Sequence, residues 1–349
     1  LCPYCDFVVM AGAAARGPGQ RVDALLEALH RELDLRAGTR DQAGAEGPAP
    51  LRSVYLGGGT PSLMSAEQVD GLLRHIDARL GIAIDAEVTL EANPGADEIG
   101  DLAGFRHAGV TRLSIGAQSM DAGQLQRLGR RHRAGDVAAA VAQAREAGIG
   151  SISVDLLTDV PGQDVASWRS TLQAVLALGP EHLSVYTLTL DDPDAEGLTG
   201  PDGDHLPVSR GARAWRERAL EEQSDERAAE MELVTDELAV AAGLHRYEVA
   251  NLSRPGQESR HNLLYWRRRP YLALGPGAHA SDGDLVRSWN AARLDGYLSA
   301  LEAGRLPPGG SEQVDQATAV AEAAILGLRL SEGVEAALAD HPELSSGLA

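Results

Sequence analysis

The sequence predicts an α/β fold, a parallel β-sheet with helices packed outside it. Three observations carry that expectation. Strand-like and helix-like segments alternate at intervals of roughly 25 to 35 residues, the spacing of successive βα units. The helical runs are amphipathic and end at stop signals such as Gly148 and Gly179-Pro180. Polar and glycine residues gather where strands end: Gly57 to Thr60, Glu91 with Asn93, Gln118 with Ser119, and Asp155. Ligands meet the carboxyl ends of strands in doubly wound sheets and in α/β barrels alike. Both forms fit the alternation.

In chain order, Leu1-Cys2-Pro3-Tyr4-Cys5-Asp6-Phe7 comes first and holds the only cysteines of the 349 residues. Two thiols at this spacing suit half a zinc site, a redox pair or part of an iron–sulfur cluster. Zinc calls for a second Cys or His pair, and the ten histidines supply none at short spacing. A redox pair belongs between a strand and a helix of a βαβ unit, a context these residues lack. Val22, Leu25, Leu26, Leu29 and Leu33 then mark one helix face, and 38–50 reads as a Gly/Ala/Pro-rich loop. Arg52 to Leu56 reads as a strand running into Gly57-Gly58-Gly59-Thr60-Pro61. Ser65 and Gln68 form a capping box for a helix whose inner face is Val69, Leu72, Leu73, Ile76 and Leu80.

Further strands are expected near 84–91, 110–117, 151–157 and 182–190, with helices over 97–108, 121–128, 134–147 and 164–178. Asp191 to Pro207 is an acidic Gly/Pro-rich loop, 209–243 reads as one helix, and 313–340 as further helical structure. Between them lies an aromatic, basic stretch from Ser259 to His279. A domain boundary is expected near 200, with a core over 1–200 and a mixed, largely helical unit over 201–349.

Composition removes several function classes. A net charge of −20 argues against nucleic acid as a partner. The chain has no lysine, so all 31 basic residues are arginine. That excludes Schiff-base chemistry, a pyridoxal phosphate anchor and a P-loop lysine. No signal peptide is visible, and no apolar run approaches the roughly 20 residues of a membrane span. Two cysteines in a long chain fit a reducing cytoplasm.

A glycine run after a strand lets a ligand approach the backbone closely. Glu91 and Asp155 can accept hydrogen bonds from a ribose or an ammonium group, and Arg130 can hold a carboxylate bidentately. Those three groups together describe S-adenosylmethionine. The competing reading of Arg130-Arg131-His132-Arg133 is a solvated basic face.

These stretches, with Ser153 to Gln163, His182 to Leu190 and Arg260 to Ala280, resemble the radical S-adenosylmethionine proteins of the coproporphyrinogen-oxidase-like group, most closely the HemW-type haem chaperones. The resemblance implies a partial (β/α)6 barrel with one strand lost upstream of Leu1. It also implies a Cys-x3-Cys-x2-Cys motif whose second half is Cys2 and Cys5, the missing cysteine falling four positions before Cys2. Three such thiolates would hold a 4Fe–4S cluster, whose open iron takes the amino and carboxylate groups of S-adenosylmethionine and cleaves it to a 5′-deoxyadenosyl radical. Carried over, Gly58, Gly59 and Thr60 would meet the methionine moiety. Glu91, Gln118, Arg130 and Asp155 would hold the remaining polar groups, and the backbone at Tyr4 would lie beside the adenine.

The oxygen-independent coproporphyrinogen III oxidases of the same group are the alternative. They carry a further cysteine where this chain has Phe7, which points to the chaperone branch. His261-Asn262-Leu263-Leu264-Tyr265-Trp266 matches that branch's haem-associated pattern, so His261 is the expected haem contact, with His279 its rival. The competing reading of His261 is a histidine bonded within its own domain. Haem and haem-accepting proteins are the implied partners, with room for peripheral membrane association through the acceptor and for a homodimer.

Overall fold

A computed structural model describes residues 2–5, 20–42 and 49–339. Helix α1 (Gln20–Gln42) leads into strand β1 (Leu51–Leu56), a 3-10 turn (Pro61–Leu63) and α2 (Ala66–Leu80). The alternation continues through β2 (Ile82–Ala92), α3 (Leu102–Ala108), β3 (Arg112–Gln118), α4 (Ala122–Arg127), α5 (Ala134–Glu146), β4 (Ser151–Thr158), α6 (Val165–Ala177) and β5 (His182–Thr187). Side-chain caps start these helices: Ser65, Asp101, Asp121 and Asp164 each accept an N–H from the first turn.

β1 to β5 lie side by side in sequence order, every pair parallel. An order that never reverses is the wall of a barrel, since a doubly wound sheet must cross back over its first strand. β6 (His245–Glu248) and β7 (Asn251–Ser253) extend the β5 edge as an antiparallel hairpin, giving β1-β2-β3-β4-β5-β7-β6. The result is an open half-barrel. Among the described residues it has five parallel strands.

The strand sequences explain the curl. Side chains alternate between faces, and here the two faces differ in chemistry. Val54, Val88, Leu90, Leu113, Ile115, Ile152, Val154 and Leu183 are buried in the layer beneath the helices. The alternate positions are polar: Ser53, Tyr55, Glu87, Thr89, Glu91, Ser114, Ser153, Asp155, His182 and Ser184. One face packs on helices while the other lines a polar lumen.

The outer layer runs past residue 200. Where one helix was expected over 209–243 there are two, α7 (Arg210–Glu222) and α8 (Asp225–Ala241), because Ser224 caps a new start. Trp168 of α6 is fully buried and donates its indole N–H to Met231 O at 3.0 Å and Thr235 Oγ1 at 3.1 Å, pinning α8 to the barrel helices. Met231, Val234, Ala239 and Leu252 share the main core.

The rest is α9 (Arg260–Trp266), β8 (His279–Ser281), β9 (Val286–Asn290), α10 (Leu294–Glu302), β10 (Gly309–Gln313), α11 (Gln316–Gly327) and α12 (Ala336–Ala339). β10, β9 and β8 form a three-stranded antiparallel sheet that the helical expectation did not foresee. α1 also runs to Gln42, past the loop expected from 38. Glu32 on α1 is fully buried and accepts from Gly275 N, Asn290 Nδ2 and Tyr297 Oη at 2.9, 2.8 and 2.6 Å. That single carboxylate ties the first helix to β9 and α10. No helix among the described residues is long and apolar enough to cross a membrane.

Candidate functional site

The cysteine loop is held by backbone and by arginine. Cys5 N donates to Cys2 O at 3.2 Å, closing a turn. Arg216 of α7, almost wholly buried, donates to Pro3 O at 3.0 Å, to Cys5 O at 3.5 Å and to Asp191 O. Its neighbour Trp215 donates to Arg127 O at 3.0 Å and packs beside Tyr4. Burial keeps the Tyr4 hydroxyl protonated.

Arg130 joins this loop to the strand ends. Its Nη1 lies 3.7 Å from Cys2 Sγ, and its Nη2 donates to Gly116 O at 2.7 Å and to Asn93 Oδ1. Asn93 Nδ2 donates in turn to Thr60 Oγ1 at 3.1 Å. The glycine loop, the ends of β2 and β3 and the cysteine pair are therefore one connected unit. The basic run divides: Arg130 and His132, which bonds Ala117 O at 3.0 Å, turn inward, while Arg131 stays exposed beside Glu98.

Glu91 and Asp155 sit deep in the lumen and remain partly exposed to it. Tyr55 Oη donates to Glu91 Oε1 at 2.8 Å and Gly58 N to Oε2 at 3.0 Å. Desolvation pushes the Glu91 carboxyl up to about 7, against the pull of those two bonds. Asp155 accepts from Ser114 Oγ at 2.9 Å and Ser153 Oγ at 3.1 Å, and desolvation raises it too. Among the described residues neither carboxylate has an ion-pair partner. Two reachable carboxylates without a salt-bridge partner suit a ligand that offers hydrogen-bond donors.

Backbone shape completes the cradle. Gly58 adopts φ +110°, and a Cβ on Gly57 would stand 2.6 Å from the Tyr55 ring. A Cβ on Gly116 would fall 2.9 Å from Gln118 Nε2 and 3.2 Å from Arg130 Nη2, so this glycine lets both side chains meet at β3. Gln118 itself takes φ +66°. Gly59 lies exposed in the same loop.

His261 is close by but engaged. Glu87 accepts the His261 and Arg260 backbone N–H groups at 3.1 and 3.0 Å, anchoring the start of α9 on β2. The imidazole bonds Ser53 Oγ through Nδ1 at 2.9 Å and Tyr265 Oη through Nε2 at 2.8 Å, and it stacks on the Tyr55 ring. Burial lowers its pKa and keeps it neutral. His279 stands elsewhere, half-exposed on β8, with Nε2 2.8 Å from Asp204 Oδ2. Phe7 lies outside the described residues.

The expected residues Cys2, Tyr4, Thr60 and Arg130 thus meet at one end of the lumen, Gly58 and Glu91 beside them, and Gln118 with Asp155 on the next strands. Sequence reasoning missed Tyr55, Gly116 and Arg216. A polar residue two before the glycine run was the signal for Tyr55. Arg216 had none, since its acceptors are backbone carbonyls far away in sequence.

A radical SAM superfamily family model matches residues 1–175. Heme chaperone HemW of Synechocystis sp. is 36% identical over 339 residues, covering 95% of this chain and 76% of that protein. The chain belongs to the radical SAM superfamily and, within it, to the HemW family. Heme chaperone HemW of Escherichia coli is 34% identical over 304 residues, covering 85% of this chain and 72% of that protein. Among solved structures, coproporphyrinogen III oxidase (HemN) from Escherichia coli superposes with a TM-score of 0.75 at 22% identity, covering 95% of this chain and 73% of that one. That likeness establishes the fold, and the unreversed strand order and antiparallel edge agree with it.

Proposed function

We propose that this chain is a cytoplasmic haem chaperone that binds a 4Fe–4S cluster, S-adenosylmethionine and haem, and passes haem to acceptor proteins. Similarity to HemW proteins over nearly the whole chain supports the function. The observation that carries the cofactor reading is the pair of lumen carboxylates that lack a salt bridge among the described residues, Glu91 bonded to the glycine loop at Gly58 and Asp155 on β4, together with the Arg130–Cys2 contact. The fit is chemical: S-adenosylmethionine offers amino N–H groups and ribose hydroxyls, from which such carboxylates accept, and a sulfonium whose charge they attract.

Cys2 and Cys5 would supply two thiolates of the cluster. When bound, the cluster supplies an electron and a coordination position for amino and carboxylate groups. The chain's own residues do the rest. Glu91 would accept a hydrogen bond from the amino group, Gly58 and Thr60 would line the methionine moiety, Asp155 and Gln118 would reach the ribose side, and Tyr4 would border the adenine. Arg130 holds the strand ends against the cysteine loop. Residues 1–200 form the cofactor-binding core, and 201–349 complete its outer layer and carry α9.

His261 is the proposed haem contact. For an imidazole nitrogen to reach iron, it must give up Tyr265 or Ser53, so haem binding includes a local rearrangement of α9. Titration of the cluster-loaded protein with haem tests this. His261→Ala should weaken haem binding at least about tenfold, and Tyr265→Phe, which frees Nε2, should tighten it by a few-fold, up to about tenfold for one hydrogen bond. Wild-type titration curves from both variants would remove His261 from the haem site. In the same preparation, coproporphyrinogen III with S-adenosylmethionine and a reductant should give no doubly decarboxylated product; catalytic turnover would make the protein the oxidase.

A further inference from the structure

The seven-stranded sheet has β1 and β6 as its two edges, and α9 bridges the gap between them. The first turn of the helix is fixed at β1 and β2, where Ser53 bonds the His261 ring and Glu87 accepts the His261 N–H. Its last residue, Trp266, lies under the guanidinium of Arg329, whose Cζ is 4.3 Å from the ring centroid. Arg329 follows α11 and is fixed to the β6 edge by backbone: Val249 N donates to Arg329 O and Ser331 N to Tyr247 O, both at 3.0 Å. Its side chain is far less committed. Among the described residues its one ion pair is with Glu248 Oε2 at 3.6 Å, beyond hydrogen-bond reach, and Arg329 Nε and Glu248 Oε2 have no hydrogen-bond partner. The side chain is 35% exposed and lines a cavity of about 420 Å³ with Tyr186, Thr187, Thr189, Glu232 and Val249. Glu232, the other charged group there, is taken by Arg246 at 2.6 Å.

We propose that Arg329 anchors a propionate carboxylate of haem, while His261 at the other end of α9 takes the iron. The proposal rests on reading His261 as the haem contact. A guanidinium presents a rigid fork that matches a carboxylate, and stacking on Trp266 holds the plane of that fork. Residues 261 and 266 are separated by about 7 to 8 Å along a helix axis, comparable to the reach from a haem iron to its propionate carboxylates. The cavity adjoins the lumen, since Tyr186 lines it and lies within electrostatic reach of both Asp155 and Tyr55, the ring that stacks on His261. In a chain of net charge −20, an anionic group needs such a cation at its seat. The loose pairing with Glu248 leaves the cavity side of the fork ready for a second carboxylate.

The experiment compares haem with its dimethyl ester, which keeps the iron and the ring and lacks only the two carboxylates. Each is titrated into cluster-loaded, full-length protein in the same mixed solvent and followed by Soret absorbance. Wild type should hold haem about tenfold or more tighter than the ester, as expected for hydrogen bonds from a charged donor. Arg329→Met should bring haem affinity down to that of the ester and leave ester affinity unchanged. Arg329→Lys, which keeps the charge and loses the fork, should retain part of the preference. His261→Ala should instead weaken both ligands alike. Arg329→Met leaves the buried Glu248 without a counter-charge, so Arg329→Met/Glu248→Gln, which removes both charges, is measured beside it. The double variant should show the same loss of preference, and its unchanged ester binding certifies the fold. Equal affinity of wild type for haem and ester, a preference that survives in both Met variants, or a loss of both ligands in equal proportion overturns the proposal and leaves haem binding at His261 standing. Wild-type protein that binds neither ligand would refute the haem reading itself.

Discussion

Replacing Arg216 by Met should release the cysteine loop while leaving the fold in place. The guanidinium is 6% exposed and bridges Pro3 O and Cys5 O on the loop to Asp191 O after β5. Met keeps much of the apolar stem and loses every donor. A hydrogen bond from a charged donor contributes roughly 1.5–3 kcal/mol net, and the freed carbonyls near the mouth regain water. The Cys5 contact is long, so the loss is worth about 2–3 kcal/mol of loop order. That corresponds to a roughly thirty- to hundred-and-fiftyfold rise in the open-loop population. If metal leaves through the open loop, chelator-driven iron release should accelerate by the same factor, read as bleaching of the cluster's visible absorbance. Arg216→Lys, with one compact ammonium in place of the fork, should fall between. Thermal unfolding followed by circular dichroism checks that the domain survives. Iron release from Arg216→Met within about twofold of wild type, a difference worth only about 0.4 kcal/mol, would refute the clamp.

Gly116→Ala adds a methyl against the ends of Gln118 and Arg130, both flexible. Its thermal midpoint should stay near wild type, while S-adenosylmethionine binding in dialysis should weaken about tenfold as Arg130 is pushed off Gly116 O. Trp168→Ala removes a fully buried indole and its bonds to α8, and urea unfolding should register a loss of about 3–5 kcal/mol. An m-value unchanged from wild type would show that α8 unfolds together with the barrel.

The five parallel strands were legible because each is a short run bounded by turn signals, and Glu91, Gln118 and Asp155 were legible because they end such runs. The barrel was written there too. A sheet covered by helices on both faces reads as continuous apolar runs, whereas Glu87, Thr89 and Glu91, or Ser153 and Asp155, alternate with Val88, Leu90 and Val154. The βα spacing by itself left both forms open, and the structure shows that this polar alternation lines a barrel lumen. The break at Gln223-Ser224 escaped because helix formers flank it on both sides, although Ser224 with Asp225 and Glu226 is a helix-start signal. β8 to β10 escaped because three to five residues carry little periodicity, and their pairing is fixed by packing such as Gly310 beneath the Trp289 ring. The Arg216 clamp and the Ser53–His261–Tyr265 chain depend on partners distant in sequence, which only the fold brings together.

A haem chaperone must hold haem. The measurement closest to it is haem retention: cluster-loaded, full-length protein mixed with excess haem, passed through a desalting column, and assayed for haem per chain by pyridine haemochrome absorbance. About one haem per chain is expected in wild type and a clear loss in His261→Ala, because one imidazole supplies the iron ligand. Haem that washes off wild-type protein completely would refute haem carriage.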